Sequence, residues 1–253
     1  MKGWLIFKHS FSMVLRNWQE AVKIGLLPVL MIVGLAMLVL RGAAFELMQG
    51  TNPEDMEHVF TQPGLIGGFT AVWLFAMFAI LTVIVSWHRF VLLEEYPESW
   101  VPKFRTGVVL GYFGRMLLIG ILALVMMIPL GLVAGMMMAI PGLGWIALIA
   151  AYLCVAIVIY RVIAILPAAA IGEPITLGRA FEATKGANID IFVLMLVSFG
   201  VNIVFQLAVG AVAAVSPILS GVLSIPVSLA LALVNVSVLT TFYGHYIQGR
   251  PID

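Results

Sequence analysis

Six stretches of this chain are each long and apolar enough to cross a lipid bilayer, and no other feature constrains its fold as strongly. A spanning helix needs about 20 mainly apolar residues to match a hydrocarbon core of roughly 30 Å. The stretches lie near residues 21–40, 65–86, 117–138, 143–166, 191–213 and 221–242. Arg41 closes the first, and Trp87, His88 and Arg89 close the second as an interfacial group. A four-residue break, 139–142 with Pro141 inside it, divides the third from the fourth. Residues 117–166 also admit a reading as one re-entrant hairpin, but each half alone is long enough to cross. Ser216, Pro217 and Ser220 form a turn-like set between the last two.

Composition agrees. Hydrophobic residues make up 63% of the 253 and charged residues only 10%, whereas soluble domains run at roughly 45–50% and about 25%. The mean hydropathy is +1.14, which also excludes a disordered chain. A net charge of +1 gives no field for nucleic acid, and the single cysteine, Cys154, excludes an internal disulfide and a cysteine-based metal site. The expected fold is all-α: a polytopic membrane bundle of six transmembrane helices, forming one integral membrane domain over 1–253.

The basic residues predict an orientation. Of the 13 Lys+Arg, only Arg41 falls on one side, in a loop with Glu46, Glu54, Asp55 and Glu57; the other twelve fall on the opposite side. Short cytoplasmic loops collect Lys and Arg, so both termini are expected in the cytoplasm. Lys8, Arg16 and Glu20 interrupt any apolar core of a signal peptide. The opening segment instead reads as an amphipathic helix at the headgroup boundary, with Trp4, Leu5, Phe7, Phe11, Val14 and Leu15 against Lys8, Ser12, Arg16 and Gln19. The alternative is that it packs on the protein's own loops.

A surface helix followed by a helical pair recurs three times in this reading, with units near 1–86, 87–166 and 167–253. The surface pieces are 4–17, 100–112 and 175–188, and parallel repeats of this kind occur in membrane folds. Two linkers share a design: Arg89 or Arg161, an apolar run, then an acid and a proline (Glu95 and Pro97, Glu173 and Pro174). Proline after the acid stops the helix, and Thr176 is placed to cap a helix from Leu177.

The Arg161 run, Leu166-Pro167-Ala168 and the segment Gly172-Glu173-Pro174-Ile175-Thr176-Leu177-Gly178-Arg179-Ala180 resemble a recurrent segment of poorly characterised bacterial inner-membrane proteins. That group includes the membrane domain associated with glycerophosphodiester phosphodiesterases. The resemblance rests mainly on residues 161–190 and implies a six-helix membrane domain without known catalytic residues. With no soluble phosphodiesterase domain in the sequence, its activity is not expected to carry over.

Motifs for chemistry are missing. His9, His58, His88 and His245 stand at no i,i+3 or i,i+4 spacing, and there is no H-E-x-x-H or G-x-S-x-G. Gly172 to Gly178 lacks the lysine and spacing of a phosphate loop, and Glu94-Glu95 has no histidine at membrane depth to complete a metallopeptidase. The acidic trio Glu54, Asp55 and Glu57 has oxygen ligands for a cation but reads better as a solvated loop. No catalytic, cofactor or metal site is expected. Within the spans, Asn202 and Gln206 share a helix face and Asn235 lies in the antiparallel neighbour. This intramembrane polar cluster is either interhelical glue or a substrate path. Gly131 and Gly135 form a G-x-x-x-G for close helix packing. Pro28, Pro129 and Pro226 are positioned to kink spans, and the Met126 and Met136 groups read as apolar filler.

The function expected is a non-enzymatic integral protein of the bacterial cytoplasmic (inner) membrane: a scaffold, assembly factor or accessory subunit. The alternative is a transporter or channel for a small or lipid-like solute. Membrane lipids are the expected partners, a second membrane protein an open option, and nucleic acid is excluded.

Overall fold

The computed structural model describes residues 2–40 and 64–252; Arg41, Glu46, Glu54, Asp55, Glu57 and His58 lie outside them. The described residues form nine helices and no strand. They are α1 (Lys2–Arg16), α2 (Trp18–Leu40), α3 (Leu65–Leu93), α4 (Thr106–Met137), α5 (Leu143–Val162), α6 (Ile165–Ala170), α7 (Leu177–Ala183), α8 (Asn188–Val215) and α9 (Pro217–Tyr246). Six segments are long and apolar enough to span a membrane: α2, α3, α4, α5 with α6, α8 and α9. The chain is an all-α, multi-pass membrane bundle.

Local chemistry sets the turns. Gly142 adopts φ +80°, a left-handed conformation open to glycine at little cost, and reverses the chain between α4 and α5. Ser216 ends α8 and caps α9: its hydroxyl accepts from the Leu219 N–H at 3.3 Å, and Pro217 fills the first turn, where no N–H is needed. Thr176 caps α7 as expected, accepting from the Arg179 N–H at 3.2 Å. Pro28, Pro129 and Pro226 each sit inside an unbroken helix.

Several helices overrun the expected spans. The 29 residues of α3 measure about 43 Å at 1.5 Å per residue, more than a hydrocarbon core of roughly 30 Å. Trp87 and His88 therefore do not stand at the helix end. Both are fully buried inside the bundle, where the Trp87 indole N–H donates to Ser237 Oγ at 2.7 Å. His88 Nδ1 meets Thr240 Oγ1 at 2.8 Å. Periodicity gave no sign of this, because a polar ring group at a span's end fits water and a hydrogen-bonded core equally well.

The middle surface helix also differs from expectation. Residues 101–105 form no helix, and Thr106 opens the long α4 directly. The first surface piece does form a separate helix, but not one lying free on the headgroups. Gly3, Ile6, Phe7, Ser10 and Val14 of α1 are buried against α8 and α9, while Trp4, Leu5, Lys8, Leu15 and Arg16 remain exposed. A Cβ on Gly3 would stand 2.1 Å from the Asp190 carbonyl oxygen, so α1 rests directly on the backbone of α8. Hydrogen bonds from Asn17 N–H to Met13 O (3.1 Å) and from Ala21 N–H to Asn17 O (2.9 Å) carry the helical pattern across the α1–α2 junction.

The buried core is concentrated at one end. Its two clusters draw on Ala21 and Ile24 at the start of α2, Val83 to Leu92 at the end of α3, and Val109 and Tyr112 at the start of α4. They continue through α6, Ile191 and Leu194 at the start of α8, and Leu233 to Tyr243 at the end of α9. This is the end carrying the twelve basic residues. Towards the other end the helices present bare apolar faces, as Leu38, Leu132, Met136, Leu207 and Ile218 show.

Candidate functional site

Two groups of polar side chains stand out, one at membrane depth and one at the basic end. The first contains the amides singled out in the sequence. Asn202 is half-buried and donates from Nδ2 to the Ser198 carbonyl at 2.7 Å, within its own helix. Gln206 and Asn235 are exposed. Among the described residues no hydrogen bond joins Asn202 or Gln206 to Asn235. The Ser198 hydroxyl is shielded and has no partner among the described residues. Ser198, Asn202 and Gln206 follow one another at fourfold spacing and form a polar stripe on α8. Gly131 and Gly135 also face no other helix closely: a Cβ on either meets nothing within 4 Å.

The second group is built where α2, α3 and the α3–α4 loop meet. Helix α3 ends with Glu94 in the left-handed region (φ 54°), its N–H bonded to the Arg89 carbonyl. This turn folds Glu95 back onto the helix, where Oε2 accepts from Arg89 Nε at 2.8 Å and Oε1 accepts from Arg105. Arg89 also donates to the Ala170 carbonyl at 3.0 Å, fastening α6 to α3. Burial pushes the Glu95 carboxyl up, but hydrogen bonds and charge from Arg89 and Arg105 outweigh that and hold it below the ordinary carboxylate range. Lys103 pairs with Glu98 at 2.8 Å, and Lys23 reaches in from α2, half-buried and in no ion pair among the described residues. Together they line a cleft of about 50 Å³ with Ser86, Tyr96 and Ser99.

The same end is tied together by other arginines. Arg161 donates to the Phe181 carbonyl at 2.6 Å and lies 3.4 Å above the Phe181 ring, clamping α7 to α5. Arg250 donates to the Leu92 carbonyl at 3.0 Å. The arginines at the two linkers, read in the sequence as a shared design, thus hold neighbouring backbone in place. In the sequence Arg105 and Lys103 read only as topology markers, and Arg89 as part of the linker design. The acid and proline after Arg89 were the available signal that the loop turns back onto them. Among the described residues no cluster of histidine, cysteine, aspartate or glutamate is placed to hold a metal ion. No family model, curated protein or solved structure matches the chain.

Proposed function

We propose that this is a non-enzymatic protein of the bacterial cytoplasmic membrane, with both termini cytoplasmic, acting as an accessory subunit, scaffold or assembly factor for another membrane protein. One observation carries the reading: Gln206 and Asn235 stand exposed within spanning helices. An amide transferred to an apolar medium without a partner costs roughly 2–7 kcal/mol, and in membranes such groups are usually covered by a neighbouring helix. A helix from a second protein laid along α8 and α9 would satisfy both. The resemblance of residues 161–190 to bacterial inner-membrane proteins accords with the location.

The test is site-specific photocrosslinking in native membranes, with the reactive side chain at position 206, 235 or, as a lipid-facing control, 124. The expected result is one protein adduct of fixed mass from 206 and 235 and none from 124. Lipid adducts alone from all three positions would overturn the reading. They would turn attention to transport and to the groove of about 450 Å³ between α2, α3 and α9, lined by Pro28, Ile80, Val83, Ser224 and Ser228.

A further inference from the structure

The cleft at the basic end has a charge balance and a position that point to a ligand. Lys23, Arg89, Lys103 and Arg105 face Glu95 and Glu98 across it, four cations against two anions. One carboxylate is shared by two guanidinium groups, and Lys103 is matched by Glu98. One guanidinium charge and the Lys23 ammonium are therefore left without a counter-anion in the cleft. Holding two such like charges together is unfavourable unless an anion joins them. At about 50 Å³, the cleft exceeds the roughly 10–15 Å³ that a site needs to hold a single water.

The surroundings say which anion. Lys23 lies in the second turn of the spanning helix α2, and Leu27 and Leu30 follow it at i+4 and i+7 on the same face, with Met31 beside them. Leu30 and Met31 are 49% and 47% exposed. An ion bound beside Lys23 thus stands directly above a bare hydrocarbon-facing strip on the same helix. We infer that the cleft formed by Lys23, Arg89, Lys103 and Arg105 binds the phosphodiester headgroup of an anionic glycerophospholipid, whose acyl chains run along Leu30 and Met31 of α2. Basic pockets between spanning helices suit such headgroups, and guanidinium groups suit their oxygens. The inference is independent of the accessory-subunit reading, because it uses other helices and another ligand.

Native mass spectrometry of the full chain released from nanodiscs tests it, comparing phosphatidylglycerol with phosphatidylcholine. Wild type should retain one phosphatidylglycerol at least fivefold more often than phosphatidylcholine. Lys23→Gln and Lys103→Gln, each changing a side chain that does not hold the fold's backbone, should each reduce that preference at least threefold; Lys8→Gln, on the outer face of α1, should not. Unchanged preference in both cleft variants overturns the inference. So does displacement of the lipid by millimolar inorganic phosphate, which would make the site one for a free anion.

Discussion

At the scale of single residues, the turn after α3 does most to shape the basic end. Glu94 is the only described non-glycine residue with positive φ, a conformation that crowds a Cβ against the backbone and that glycine adopts freely. Glu94→Gly should therefore stabilise the protein by about 1 kcal/mol, read as a raised midpoint in thermal unfolding in detergent. Glu95 makes a pH prediction. Its folded-state pKa is depressed by Arg89 and Arg105 against the opposing effect of burial, so its contribution to stability is complete above the unfolded carboxylate value. That contribution is lost as pH falls through the lower folded value. Wild type should lose stability on acidification across that window, and Glu95→Gln should show a shallower slope there, beginning from a lower stability near neutrality. Equal slopes for the two proteins would dismiss the Glu95 assignment.

At the scale of elements, the informative contact is α1 on α8. The Asp190 carboxylate accepts from the Lys2 N–H at 3.0 Å and from the Tyr246 hydroxyl at 3.1 Å, so one side chain joins α1, α8 and α9. The Gly3 contact leaves no room for a methyl group, and the obstacle is backbone. Gly3→Ala should destabilise by about 1–3 kcal/mol and expose α1 to protease, measured as faster cleavage within residues 2–16 under native conditions. Trp87 and Ser237 join α3 to α9 beside the His88–Thr240 bond. Ser237→Ala leaves the buried indole N–H unpaired and should cost about 1–3 kcal/mol, whereas an unchanged unfolding midpoint would mean that the bond contributes nothing.

At the scale of the whole molecule, packing is uneven along the membrane normal. The basic end is a hydrogen-bonded core, and towards the other end the helices offer apolar surface with few neighbours from their own chain. Lipid tails are as apolar as leucine, so no hydrophobic drive closes that end. The proposed orientation makes a direct prediction. In a Cys154→Ser background, a cysteine at Glu54 should react with an impermeant thiol reagent added to the periplasmic side, and one at Pro251 only after the membrane is opened. Reaction of both from one side would overturn the six-span topology, and the opposite pattern would reverse the assignment of the basic end to the cytoplasm.

Sequence alone determined that this is a bundle of six spanning helices, where most of them turn, and that the basic residues gather at one end. Length and hydropathy are properties of contiguous segments, and lipid reads them without reference to the rest of the fold. It also placed the Thr176 cap and the break over 139–142, because caps and helix breaks depend on a few adjacent residues. Only the tertiary structure decided that Trp87 and His88 are buried and that α1 lies on α8. It alone kept Asn202 and Gln206 from meeting Asn235 and folded Glu95 back between two arginines. Each of these depends on which face one helix turns towards another. In an apolar chain nearly every face is hydrophobic, so periodicity carries little of that information.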